Sequence, residues 1–167
     1  MIKIGKDISS FSTYSCQPDN KEDLMKIIKE RVSKYGDNCD LNDIDVSLIT
    51  DMSYLFYKSP FTGNISNWDV SNVVDMTRLF KESSFNGDIS NWDVSNVESM
   101  EAMFYRNKFN RDISKWNVSK VTNMIHIFRE SQFNQDISKW KINKDCLTNE
   151  MFTDCSIKKE YKPKLPR

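Results

Sequence analysis

Phe85-Asn86-Gly87-Asp88-Ile89-Ser90-Asn91-Trp92-Asp93-Val94-Ser95-Asn96-Val97 decides how this chain is organised, because the string returns in altered form on both sides of itself. Trp68, Trp92, Trp116 and Trp140 stand 24 residues apart without exception. The other apolar columns hold the same phase. Val46, Val70, Val94, Val118 and Ile142 form one, and Ile49, Val73, Val97 and Val121 another. Met52, Met76, Met100 and Met124 follow, then Leu55, Leu79, Met103, Ile127 and Met151. Phe56, Phe80, Phe104, Phe128 and Phe152 are succeeded by Phe61, Phe85, Phe109 and Phe133, and Ile65, Ile89, Ile113 and Ile137 close the unit. Self-similarity at such a period marks a repeat architecture, in which each unit completes its core on its neighbours.

Working outward, 68–91, 92–115 and 116–139 are complete copies. An earlier copy, 44–67, has Ile44 in place of Trp, and a last one decays after Ile142 before recovering at Met151 and Phe152. Degenerate end copies suit units that face water on one side. Within a unit, Ile65-x-x-Trp68-x-Val70 alternates with period two, which predicts a short strand. Val73, Met76, Leu79 and Phe80 are spaced by three and four or adjacent, which predicts a short helix, with Ser71, Ser95 and Ser119 as N-caps. The expected fold is therefore an α/β, leucine-rich-repeat-like solenoid with short parallel strands, short helices and an N-terminal helical cap. Residues 1–40 form that cap, with a helix near 19–35 running from Asp19-Asn20-Lys21-Glu22 to Gly36. Residues 41–157 hold about five 24-residue units. Residues 158–167 make a basic, extended, mobile tail.

The W-D-V-S string at Trp92–Ser95 and Met100-Glu101-Ala102-Met103-Phe104 together resemble the BspA-like leucine-rich-repeat family of bacterial surface and related proteins. The resemblance implies a solenoid used for protein or surface contacts, without enzymatic activity. At Val73, Val97 and Val121 the chain departs from the Asn that ends an ordinary leucine-rich repeat.

Composition narrows the function. The 167 residues carry 24 Lys+Arg against 24 Asp+Glu, a zero balance that argues against nucleic acid as a general partner. No apolar run approaches the ~20 residues of a membrane span. Met1-Ile2-Lys3-Ile4-Gly5-Lys6-Asp7 lacks an apolar signal segment, so a cytoplasmic location is expected, or a surface or secreted one if an export segment has been trimmed. Cys16, Cys39, Cys146 and Cys155 contain no C-x-x-C, and reduced thiols are expected, with pairing of Cys146 and Cys155 left open. His126, the sole histidine, has no catalytic partner nearby in sequence. Asp88, Asp112 and Asp136 read as turn caps rather than as calcium ligands. No cofactor or metal is expected.

The expected function is a non-enzymatic protein-interaction module, monomeric, that presents a repeat-built face to a protein partner. The candidate face is the row Asp43, Asp45, Asn67, Asp69, Asn91, Asp93, Lys115, Asn117, Lys139 and Lys141, which runs from acidic to basic along the repeat axis. A carbohydrate- or cell-surface-binding adhesin-type fragment is the alternative, and exposed aromatics on that face would favour it.

Overall fold

The structure, a computed structural model, describes residues 14–166. Its one α-helix among the described residues, α1, spans Lys21–Tyr35. Asn20 begins it, with its side-chain oxygen accepting the Asp23 N–H at 2.9 Å. Glu22 and Asp23 lie in the first turn and Lys34 in the last, each where the helix dipole favours its charge. Gly36 ends it at φ +90, donating its N–H to Val32 at 2.8 Å. Leu24 and Ile28 are buried against the repeats.

Everything beyond α1 is built from turns. The α/β solenoid with parallel strands and short helices is overturned: among the described residues there is no sheet, only isolated parallel bridges and one further 3-10 turn at Lys159–Tyr161. Four of the bridges form a ladder at Asp51, Asp75, Ser99, Asn123 and Leu147, one residue per unit and outside the W-x-V segment; the others join Cys16 to Ile44, in the Trp place of the first unit, and Asp40 to Asn64. Trp68–Val70 lies instead between two tight turns, closed by Trp68 N–H to Ile65 at 3.2 Å and Val73 N–H to Val70 at 2.9 Å.

The expected short helix after Val73 is a run of β-turns. In the unit 68–91, the N–H groups of Leu79, Lys81 and Ser83 donate to Met76, Arg78 and Phe80 in the same unit. Those of Met76, Arg78, Phe80 and Glu82 donate to Ser99, Glu101, Met103 and Tyr105 in the next unit, at 2.8–3.0 Å. Groups that a helix would bond four residues back are thus committed to the neighbour. The geometry forces Arg78 and Glu82 to φ +55 and +56, and the same two positions are left-handed in five successive units, from Tyr54 and Lys58 to Glu150 and Asp154. No helix follows Ser71, Ser95 or Ser119, so they cap nothing.

The result is a stack of 24-residue coils, here numbered one to five and starting at Ile44, Trp68, Trp92, Trp116 and Trp140. Phe56, Phe80, Phe104, Phe128 and Phe152 stack ring on ring at 5.6–5.9 Å. Each tryptophan is buried and reaches back 27 residues, to the residue three before the start of the preceding coil: Trp92 Nε1 donates to the Ile65 carbonyl at 3.1 Å, and Trp68, Trp116 and Trp140 do the same to Leu41, Ile89 and Ile113. An indole buried with its N–H satisfied is core, not a stacking platform. Gly63 is required by close approach, since a Cβ there would lie 2.0 Å from the Cys39 carbonyl.

The repeat register also runs into the tail. Ile157 is buried in the column of Phe133, and Tyr161 takes the column of Ile137, whose N–H donates to the Tyr161 carbonyl at 3.1 Å. Pro163 is buried as well. The stretch expected to be mobile completes the fifth coil.

Candidate interaction surface

Each corner of a coil is fixed by a short polar side chain that accepts the backbone N–H two residues on. Asn64, Asp88, Asp112 and Asp136 accept from Ser66, Ser90, Ser114 and Ser138 at 2.9–3.1 Å. Asp45, Asp69, Asp93 and Asn117 accept from Ser47, Ser71, Ser95 and Ser119 at 3.0–3.2 Å. These N–H donors hold the Asp88 and Asp112 carboxyls below the usual carboxylate range, and for Asp93 and Asp136 the serine hydroxyl leads the same effect. Among the described residues no group of three His, Cys, Asp or Glu is arranged to hold a metal ion.

The candidate row is divided by the fold. At its acidic end Asp43 is taken up within the chain, by a short hydrogen bond from Ser15 Oγ and by Arg31 at 3.0 Å. The Ser15 bond leads, against burial, in keeping the Asp43 carboxyl low. Asp45 accepts from Gln17 Nε2 at 2.7 Å. Asn67, Asp69, Asn91, Asp93, Lys115, Asn117, Lys139 and Lys141 are exposed. Lys115 and Lys139 flank Asp112, Ser114, Gln135 and Asp136 around a cleft of about 360 Å³. Lys141 takes the column of Asn117, and the turn there is capped two residues later, by Asn143, which accepts the Asp145 N–H at 3.0 Å.

Two features escaped the sequence reading. The first is an asparagine ladder on another edge: Asn86 Oδ1 accepts the Asn110 N–H at 3.0 Å, Asn110 that of Asn134 at 2.8 Å, and Asn134 that of Lys158 at 3.0 Å. The Asn column at 86, 110 and 134 was its signal. The second is the outer face of the turn runs, where coils are tied by ion pairs and cation–ring contacts. Arg78 pairs with Glu101 at 2.9 Å and Arg106 with Glu130 at 2.6 Å, while Lys81 lies over the Tyr105 ring at 4.8 Å. The exposed rings of Tyr54 and Tyr57 are themselves covered by Arg78 and Lys58. His126 sits here, 3.4 Å from Glu150. Cys16, Cys39, Cys146 and Cys155 are all free thiols.

No helix among the described residues is long and apolar enough to cross a membrane. No curated protein and no solved structure matches the chain. Residues 23–108 and 103–162 match the family described as Mycoplasma protein of unknown function, DUF285, two overlapping matches that run from the first turn of α1 into coil five. The chain is a member of that family.

Proposed function

We propose that this protein is a non-enzymatic interaction module that displays rows of side chains to a protein partner at one-coil spacing. The observation that carries the reading is the exposed row Asp69, Asp93, Asn117 and Lys141, with Lys115 and Lys139 beside its basic end. The Asp69, Asp93 and Asn117 side chains are each pinned by a backbone N–H, and beside them Asn72 and Asn96 donate to the Ser47 and Ser71 carbonyls of the preceding coil while the Trp68 and Trp92 rings stack at 6.5 Å. Groups held this firmly lose little further freedom on binding. With Asp43 and Asp45 engaged inside the chain, the face begins at Asn67. The adhesin alternative has less support, because cations already cover the exposed rings of Tyr54 and Tyr57 on the outer face of the turn runs.

The test is capture of a partner from native extract, followed by binding kinetics of Asp69→Lys with Asp93→Lys. The double variant loses the acceptors of the Ser71 and Ser95 N–H groups and should be destabilised by about 1–2 kcal/mol, so circular dichroism first shows that it is folded under the binding conditions. Its association should slow by about tenfold at low salt and lose most of its salt dependence, because exposed charges act mainly on encounter. Unchanged association rates would overturn the assignment of this face.

A further inference from the structure

Inside the stack, every turn run is hydrogen-bonded on both sides. The two ends break this pattern in opposite senses. In coil one, the Ser53, Leu55 and Tyr57 carbonyls receive no hydrogen bond among the described residues, whereas their counterparts Thr77, Leu79 and Lys81 accept from the preceding coil at 2.9–3.0 Å. α1 precedes coil one and buries Leu24 and Ile28 in the core, but a helix bonds its own N–H groups internally and has none to offer those carbonyls. In coil five the complementary groups are idle. The N–H groups of Glu150, Phe152 and Asp154 have no acceptor among the described residues, although His126, Phe128 and Glu130 donate to the next coil at 2.8–3.1 Å. An unpaired edge of this kind is a template for another chain.

Charge and apolar surface match in the same sense. A groove of about 630 Å³ runs between α1 and coil one, lined by Met25, Ile28, Val32, Leu55 and Phe56, with Lys26 and Lys29 also in its walls and no carboxylate. Met25 is 45% exposed. α1 forms ion pairs through Lys21 and Arg31, leaving Lys26 and Lys29 without one among the described residues. The edge of coil five places Glu150, which pairs with Arg129 and His126, and exposed Asp154 on either side of half-buried Phe152, whose ring lies under Lys162 at 5.2 Å. Asp154 follows Glu130 in a column that otherwise alternates as Lys58, Glu82, Arg106 and Glu130, so it lacks the cation that the column supplies elsewhere.

We propose that this edge of one copy seats in the groove beside α1 of a second copy, its N–H groups donating to the idle carbonyls while Glu150 and Asp154 meet Lys26 and Lys29. The chain's own first residues suit the groove less, since Lys3 and Lys6 outnumber Asp7 there. The contact is head-to-tail and leaves one free end on each copy, so assemblies grow with concentration instead of stopping at a dimer. It uses the ends of the stack and is independent of the face proposed above.

Sedimentation velocity on the full chain from about 10 to about 500 μM, a range chosen for a small and weak interface, tests it. The weight-average sedimentation coefficient should climb with concentration and climb less at high salt. Glu150→Lys with Asp154→Lys should remain monomeric, and so should Lys26→Glu with Lys29→Glu. An equimolar mixture of the two variants should associate again, because each then offers ends opposite in charge to the other's. Met25→Glu, at an exposed helix position, should weaken association without any change at coil five. Circular dichroism and tryptophan fluorescence show that each variant is folded. A full chain that stays monomeric throughout, association indifferent to these substitutions, or a mixture that does not restore it would each overturn the proposal.

Discussion

α1 buries Leu24 and Ile28, four residues apart, and the turn run of coil two buries Met76, Leu79 and Phe80 at spacings of three and one. In α1 the backbone bonds to itself and is closed by Asn20 and Gly36. In the turn run, alternate N–H groups leave for the next coil, and two residues per run adopt φ near +55. Left-handed conformation costs a non-glycine residue roughly 1–2 kcal/mol, and ten such residues are tolerated here. The difference teaches that apolar spacing selects which side chains go inward, while the available hydrogen-bond partner selects the backbone conformation. Among the described residues α1 has no coil before it to bond with. The turn runs of coils two to four have one on each side, and the aromatic stack that this closeness permits offsets the strain.

The sharpest way to separate the two regions is to unfold them with different probes. Since α1 is the sole α-helix among the described residues, ellipticity at 222 nm follows the cap and indole fluorescence follows the stack. Trp92→Ala should cost about 3–5 kcal/mol in urea unfolding, through the cavity and the lost bond to Ile65, and should move both signals together. Trp140→Ala should cost within about 1 kcal/mol of that. Its indole is 5% exposed against 4% for Trp92, because the last coil is completed rather than frayed. Leu24→Ala should cost about 2–4 kcal/mol but divide the signals, with ellipticity lost at lower urea than fluorescence. Coincident midpoints in Leu24→Ala would mean that cap and coils unfold as one unit.

Acid should act on the cap in a way that identifies its anchor. Burial pushes the Asp51 carboxyl up, but hydrogen bonds from Lys21 Nζ at 2.6 Å and from Ser53 outweigh it and hold the group below its ordinary value. A lowered folded-state pKa stabilises above the unfolded value of about 3.9, and that stabilisation fades as pH falls through the lowered one. Asp51→Asn should therefore lower the 222 nm midpoint at pH 7, and the difference from the parent should shrink as pH falls below about 3.9. A loss that stays constant as pH falls would point to packing rather than to the Lys21–Asp51 pair.

The parts that could be read from sequence are those written in side-chain type. The columns headed by Trp68 and Phe56 locate the core and the coil length, and Asp19 to Gly36 carries the punctuation of a helix. Asp88 and its column announce turn caps, because Asp has few other uses before Ile-Ser. Backbone destinations left no such mark. Tyr54, Arg78, Ala102, His126 and Glu150 share a left-handed position with no glycine or asparagine among them, so composition there suggested nothing but a solvated face. Tyr161 kept its column with an altered residue type, amid lysines and prolines that read as a tail. The candidate face lost Asp43 and Asp45 to Ser15, Gln17 and Arg31, contacts that span up to 28 residues and have no local signature.

The smallest effect is the most direct test of the opening contrast, because it makes one substitution in both settings. Lys26 is an exposed residue inside α1, and Lys58 is an exposed residue at φ +53 in the first turn run. Lys26→Gly should destabilise by about 1 kcal/mol, the usual cost of glycine in a helix interior. Lys58→Gly should leave stability unchanged or raise it by up to about 1 kcal/mol, since glycine adopts positive φ freely and so removes strain. The losses set against that gain are small: a 3.7 Å contact with Glu82 and a cation over the Tyr57 ring, both at the surface. Urea midpoints, read at 222 nm for Lys26→Gly and by fluorescence for Lys58→Gly, should move in opposite directions or differ by at least that helix cost. If Lys58→Gly proved as damaging as Lys26→Gly, positive φ would carry no energetic penalty in the turn runs, and the inter-coil bonds would have no strain to offset.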